Sequence, residues 1–345
     1  MNKLLSASLL TIMVLLAASC KQDPQSANGP QTVLPLSSGN PAHPAITYAI
    51  YGAIAVMDSD GTHQTTVLSP KGTETMGTPN WSSSGGSIAY QDAAGGSSYV
   101  NSVKAMDISV NSRGVPVSSN VRTIYATQNT DTAFIVDPAW CSVSTTAQIA
   151  FVRRYGGAGW GSPNLGLAQL CTVSQSGGTP TVLASYKILA TQGNGNPLVI
   201  SHYLYPTWSP DDSKIAVARE DTVGHWTIMI YNSSTGAAQD SIPFSGTVAC
   251  LEWSRTGLNK LLFQETPNSS TPWTIYYCDP TTGSTPTTNS VTGSNPTWSP
   301  NNNTVMYITG APTDAFMKDD AFTSTTSTLQ SSGFYGGTTG MNWKR

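Results

Sequence analysis

Tryptophan returns in one local setting along most of the chain. The copies read Pro79-Asn80-Trp81-Ser82, Pro138-Ala139-Trp140, Pro206-Thr207-Trp208-Ser209-Pro210-Asp211, Leu251-Glu252-Trp253-Ser254, Pro296-Thr297-Trp298-Ser299-Pro300-Asn301 and Met341-Asn342-Trp343. Successive tryptophans lie 59, 68, 45, 45 and 45 residues apart. A fixed period of this size means that one supersecondary unit is copied and stacked, because a single copy cannot bury its own apolar face. The nature of that unit therefore decides the architecture.

Each of the first five tryptophans is followed by a polar turn and a short apolar run: Ile88-Ala89-Tyr90, Ile149-Ala150-Phe151, Ile215-Ala216-Val217, Leu261-Leu262-Phe263 and Val305-Met306-Tyr307. In Ser209-Pro210-Asp211-Asp212 the proline presets φ and the aspartates bond nearby backbone, which is the chemistry of a type I turn. The unit opens with a strand A ending in Trp, a tight hairpin and a strand B. A third strand is predicted at Ala53–Met57, 167–173, 227–231 and Thr274–Cys278. Turns such as Asp58-Ser59-Asp60-Gly61 and Ser233-Ser234-Thr235-Gly236 lead into a fourth. Paired-helix repeats share this period, but 31 Gly, 22 Pro and β-branched runs in 345 residues exclude them. Four strands per repeat make a propeller blade, and an aromatic at one place in every copy marks a packing position between blades.

The two ends complete each other. Trp343 stands two residues from the C-terminus with no strand B after it, while Ile46-Thr47-Tyr48 and Ala53–Met57 read as strands B and C without a strand A. Joined, they form a composite blade. The expectation is an all-β, six-bladed β-propeller of four-stranded antiparallel blades over 45–345, closed by pairing N-terminal strands with the C-terminal strand. Closure removes the sheet edge that invites aggregation.

Residues 1–19 have the form of a secretory signal: Lys3, an apolar run from Leu9 to Ala18, then small residues. Leu16-Ala17-Ala18-Ser19-Cys20 resembles a bacterial lipobox, which implies lipidation at Cys20. Residues 20–44, rich in Pro, Ser, Gln, Asn and Gly, read as a flexible tether. The expected localisation is an outer-membrane lipoprotein, facing the periplasm or exposed on the cell surface. Cys141, Cys171, Cys250 and Cys278 stay open between buried thiols and two disulfides of three possible connectivities.

The run Pro206-Thr207-Trp208-Ser209-Pro210-Asp211-Asp212-Ser213-Lys214-Ile215-Ala216 resembles the PxWSPDGxxIA repeat of TolB-like β-propellers, a WD40-like repeat, and Trp298-Ser299-Pro300-Asn301 follows it closely. The copies at Trp81, Trp140 and Trp253 keep the Trp and strand B without Ser-Pro-Asp. The resemblance implies a scaffold that binds partners. The tether stands where TolB itself has an N-terminal α/β domain, so the resemblance does not carry over a Tol–Pal role.

Catalytic signatures are missing. The sequence contains no GxSxG elbow, P-loop, HExxH or EF-hand pattern. His43, His63, His202 and His225 show no ligand spacing, so neither metal nor cofactor is expected. TolB-like oligogalacturonate lyases use clustered histidines and a metal, which keeps open an alternative: a glycan-binding or polysaccharide-processing propeller. A net charge of −3, with only 10% charged residues, gives no footing for nucleic acid.

Aligned repeats place Asp92, Arg153, Arg219, Glu265 and Thr309 at one position near the end of strand B. Solvation of strand ends explains such charge more simply than a mixed-sign binding rim does. The enlarged repeats say more. They are 14 and 23 residues longer than the 45-residue unit, and the additions fall in B–C connections (92–98, 154–166) and a D–A connection (187–205). In a four-stranded meander these emerge on one face, which is how repeat scaffolds build a binding surface. Arg154, Tyr155, Trp160, Asn164, His202 and Tyr203 on these segments, with the charged strand-B positions, are the candidate partner-binding residues. The expected protein is a monomeric, non-catalytic envelope scaffold for a protein or peptide, with glycan as the other ligand class.

Overall fold

The computed structural model describes residues 42–345 apart from 94–100, 128–132, 144, 156–166, 188, 192–196, 200–201, 223–224, 256, 267–271, 309–315, 321–325, 331–337 and 345. Side chains are also not described at 189–191, 197–199, 202–203, 222, 288–291, 316–320, 326–330 and 338–339. Among the described residues no helix occurs, and six four-stranded antiparallel sheets form. Blade 1 is the composite: Thr338–Trp343 pairs with Ile46–Ile50, followed by Ala53–Met57 and Thr65–Leu68. Blades 2 to 6 open with strand A at Thr75–Trp81, Ala133–Trp140, His202–Trp208, Thr247–Trp253 and Ser294–Trp298. Their strands B are Ser87–Ala93, Gln148–Tyr155, Lys214–Thr222, Leu261–Thr266 and Thr304–Ile308. Each strand A packs against the next around the ring, ending with Ser294–Trp298 beside Thr338–Trp343. The two chain ends thus share one sheet, as the sequence repeat requires.

The tryptophans fill the seams. Trp81, Trp208, Trp253 and Trp298 are fully buried, with Trp140 and Trp343 nearly so. At five of the six seams the residue before each Trp also ties the ring together, its side-chain oxygen accepting from the N–H of the next blade's Trp. The pairs are Asn80 to Trp140 (2.8 Å), Thr207 to Trp253 (2.9 Å), Glu252 to Trp298 (3.0 Å), Thr297 to Trp343 (3.1 Å) and Asn342 to Trp81 (3.0 Å). Ala139 offers no such oxygen, and there the Trp208 indole donates to the Ala139 carbonyl at 3.1 Å.

The hairpin after Trp explains the motif. In the full copy, Asp212 N–H donates to the Ser209 carbonyl at 3.0 Å, the expected turn, and Ser209 Oγ accepts from Lys214 N–H at 3.0 Å. Ser82, Ser254 and Ser299 cap the same way, while Cys141 Sγ takes the serine's place by accepting from Gln148 N–H at 3.4 Å. The fourth residue past Trp has left-handed backbone, at Gly85, Asp212, Gly257 and Asn302. Glycine tolerates this best, and Asp and Asn are the usual substitutes. Here the substitutes reach the preceding blade. Asp212 accepts from Ser142 N–H (2.5 Å) and Val143 N–H (2.8 Å), and Asn302 from Arg255 N–H (2.6 Å).

The alternative left open at the cysteines closes, and the expected loop boundaries change. The four cysteines are free, three of them buried, so no disulfide joins them. Burial pushes the Cys171 thiol up to about 11 and the Cys278 thiol up to about 12, which keeps them protonated and unreactive. Arg154 and Tyr155 lie within strand B of blade 3, and His202 and Tyr203 open strand A of blade 4, because the ladders run past the expected loop boundaries. The 187–205 connection itself contains a short hairpin, Leu189–Thr191 with Pro197–Val199. Part of the extra length of blade 2 goes into outer strands of 10 and 11 residues, Asn101–Val110 and Pro116–Ala126.

Candidate functional site

The six A strands surround a central channel of about 610 Å3, open solvent included. Its wall repeats by position relative to each Trp. Two residues before Trp stand Pro79, Pro138, Pro206, Leu251, Pro296 and Met341, an apolar collar. Three residues before stand Thr78, Asp137, Tyr205, Cys250, Asn295 and Gly340, all left-handed with φ between 44° and 56°. At these residues the A–B register shifts in blades 2 to 6, for example between Val136 and Ala139 or between Leu204 and Thr207. Each blade thus carries a β-bulge that bends its inner strand. Proline suits the position after it, having no N–H to leave unpaired. Non-glycine residues in this conformation cost about 1 kcal/mol or more. Five such residues, with Gly340 in the sixth place, make the strain a property of the ring and not of one site.

Two bulge residues bind the next blade. Asp137 Oδ2 accepts from Tyr205 N–H at 3.0 Å, and Asn295 Oδ1 from Gly340 N–H at 3.3 Å. Burial raises the Asp137 carboxyl to about 6, against the lowering pull of the Tyr205 bond and the Arg154 charge. Arg154 is itself drawn down by burial and held up by Asp137 and Glu220. Asp137, Arg154 and Glu220 form a charged group where blades 3 and 4 meet.

Two of the strand-B charges, Arg153 and Arg219, sit in the seams as well. Asp92, 5% exposed, is ion-paired with Lys104 on the neighbouring strand of its own blade. Arg153 donates through Nε (2.9 Å) and Nη2 (2.6 Å) to Gln169 Oε1 and through Nη1 (3.0 Å) to the Tyr125 hydroxyl of blade 2. Arg219 lies over the Tyr186 ring of blade 3, 4.4 Å from its centroid, and donates to Asp221 at 2.5 Å. Arg153 and Arg219 therefore each meet a tyrosine on the preceding blade's outer strand, one by a hydrogen bond to the hydroxyl and the other by stacking over the ring. Burial raises the Glu265 carboxyl, partly opposed by the Gly246 N–H. Arg153 and Arg219 thus bridge neighbouring blades, and Asp92 bridges neighbouring strands of its own blade.

Arg153 and Arg154, adjacent in one strand, point to opposite faces of the blade. Arg153 turns to blade 2, and Arg154 to the charged group at blade 4. The ladder sets His202 opposite Glu220 and Tyr203 opposite Arg219. Trp160, Asn164, Thr309 and Cys20 lie outside the described residues. His63 bonds Asp58 at 2.9 Å within a turn, and no group of three or more His, Cys, Asp or Glu among the described residues could hold a metal ion.

Sequence reasoning missed Asp137 and the bulge ring, because six different residue types occupy that position. It also missed a buried ion pair at the turn-side end of the channel. Arg255 Nη2 lies 2.6 Å from Glu252 Oε1, with both residues less than 10% exposed.

No family model matches the sequence, and no curated protein matches it. Among solved structures, the chain is similar to TolB from Acinetobacter baumannii, with a TM-score of 0.58 and 16% identity over 87% of this chain and 66% of that one. It is also similar to an oligogalacturonate lyase in complex with manganese, with a TM-score of 0.50 and 11% identity over 80% of this chain and 76% of that one. The chain spans slightly less than two thirds of the TolB structure it matches. At such identities the likeness concerns the fold alone. The six sheets, their composite closing blade and the tryptophan seams give this chain a β-propeller fold similar to that of TolB.

Proposed function

We propose that the protein is a membrane-tethered envelope lipoprotein whose propeller is a non-catalytic scaffold for a protein or peptide partner. The observation that carries this reading is the placement of the added chain. The hairpin Leu189–Thr191/Pro197–Val199 lies in the D–A connection that leaves blade 3, and strand B of that blade runs on to Tyr155. The chain arrives from the opposite face: Ala42 N–H donates to the Gly114 carbonyl in a C–D turn, and Lys344 N–H to the Ala45 carbonyl. A tether leaving there from a lipidated Cys20 leaves the loop-bearing face free for a partner. Lipidation, export and outer-membrane placement rest on the signal-like N-terminus and the five-residue lipobox.

A glycan-binding or polysaccharide-processing propeller is the second reading, supported by the fold shared with the manganese-bound lyase. A pull-down from envelope extract with wild type, Trp160→Ala and Tyr155→Ala tests the first reading. Capture of a discrete protein that both substitutions weaken is the expected result. Saturable binding or metal-dependent cleavage of a purified polysaccharide overturns it. For the anchor, Cys20→Ala is expected to abolish incorporation of labelled fatty acid and release the protein from membranes.

A further inference from the structure

We infer that the channel holds a site for a primary ammonium group on a slender alkyl stem, received by Asp137 Oδ1. Asp137 lies in the wall of the channel, one residue before the apolar collar and so on its loop-bearing side. Its Oδ2 accepts from Tyr205 N–H at 3.0 Å. Its Oδ1 has no donor among the described residues, and it is not one of the unpartnered atoms closed to solvent. The residue is only partly buried. Six blades encircle the carboxyl, and the open part of its surface borders the lumen. Burial therefore raises it to about 6 while leaving it within reach of a solute.

The bulges make this level of the channel rich in acceptors. Residues 78–79, 137–138, 205–206, 250–251 and 295–296 lie off the A–B ladders. Pro79, Pro138, Pro206 and Pro296 among them bring a carbonyl and no N–H. Several bulge N–H groups are already taken. Asp137 accepts that of Tyr205, Gln264 that of Asn295 at 2.6 Å, and Asn295 that of Gly340 at 3.3 Å. A ligand that enters here has to donate.

Charge points the same way. Arg154 acts on Asp137 through its charge and not through a hydrogen bond, and it is shared with Glu220. Beyond the collar, Glu252 is matched by Arg255 at 2.6 Å. Three carboxylates thus face two guanidiniums around the channel, and a single cation balances the excess. A divalent metal ion suits the site poorly, since no group of three or more His, Cys, Asp or Glu gathers among the described residues. The room for water-sized groups in the lumen is about 80 Å3, against about 10–15 Å3 for one water. An unbranched aminoalkyl chain fits such a space better than a sugar ring. It enters from the loop-bearing side, its stem against the collar and its ammonium at Asp137. The assignment rests on the channel wall and stands whichever partner the loop-bearing face engages.

The test adds n-butylammonium chloride to the full chain. The controls are n-butanol, which has a similar stem without the charge, and sodium chloride and tetramethylammonium chloride at matched ionic strength. Butylammonium is expected to raise the melting midpoint, dose-dependently, by about 2 °C or more at saturation. It should also shift the 13C resonance of the Asp137 carboxyl, and the controls should do neither. Asp137→Asn keeps an oxygen for the Tyr205 N–H and loses the charge, and is expected to weaken the amine at least about tenfold. Nα-acetyl-lysinamide separates two sources of the same group: a response equal to that of butylammonium assigns the site to a lysine side chain, and a response to butylammonium alone assigns it to a free amine. An equal effect of butylammonium and any control, or no effect of either amine on wild type, overturns the proposal. These wild-type comparisons decide the matter even where Asp137→Asn fails to fold.

Discussion

Asn342 Oδ1 accepts from the Trp81 N–H at 3.0 Å across 261 residues of sequence. That bond repeats the Asn80–Trp140 bond of the next seam, at 2.8 Å. The point where the ring closes is thus chemically the same as a point where the chain is continuous. Asn342→Ala removes the acceptor from a buried N–H and is expected to cost about 1–3 kcal/mol in urea unfolding. Deleting 340–345 removes most of strand A of blade 1 and exposes an inner sheet edge, so the truncated chain should aggregate or lose its cooperative transition. A truncated protein that melts like the full chain would show that the composite blade does not hold the ring.

The seam between blades 3 and 4 lacks this bond because Ala139 precedes Trp140. Ala139→Thr copies the side chain that Thr207 and Thr297 present to Trp253 and Trp343. The substitution is expected to stabilise the protein by about 0.5–1.5 kcal/mol. A destabilised Ala139→Thr would mean that the indole bond to the Ala139 carbonyl sets a seam geometry the threonine cannot enter.

Asp212 gives a case where agreement with a repeat consensus should hurt. Glycine is the consensus residue at that position in the resembling repeat, and it adopts the observed φ of 58° more readily than aspartate. Yet Asp212 accepts two backbone N–H groups of blade 3, from Ser142 and Val143. Asp212→Gly is expected to lose about 2 kcal/mol in chemical denaturation, and Asp212→Asn considerably less. A neutral Asp212→Gly would assign the residue to turn geometry alone.

These seams show what the sequence could and could not disclose. The tryptophans, hairpins and composite blade were legible because packing between copies demands one residue type at one place in each. The bulge three residues before Trp repeats as faithfully in backbone but not in chemistry. Thr78, Asp137, Tyr205, Cys250, Asn295 and Gly340 share a conformation and no side-chain property. Arg255 was hidden for another reason. Its guanidinium bridges blades 5 and 1, a neighbourhood that only the closed ring creates. The strand-B charges were found by alignment, but their partners were not, since Tyr125 and Tyr186 belong to the preceding blades.

Asp137 makes the channel wall sensitive to pH. Its carboxyl in the folded protein sits at about 6, above the ordinary 3.8, because burial outweighs the Tyr205 bond and the Arg154 charge. Between about pH 4 and pH 6 the native state therefore keeps a proton that the unfolded chain has released. Stability from this group is fully present below its unfolded pKa and declines as pH rises through its folded pKa. Asp137→Asn cannot titrate but retains an oxygen for the Tyr205 N–H, so it serves as the reference. The unfolding free energy of wild type minus that of Asp137→Asn is expected to fall by about 1–3 kcal/mol from pH 4 to pH 7 and then level off. Arg154 and Glu220 are present in both proteins, so the difference isolates the carboxyl that faces them. A difference that stays flat, or that rises with pH, would mean the Arg154 charge dominates burial and holds Asp137 ionised throughout.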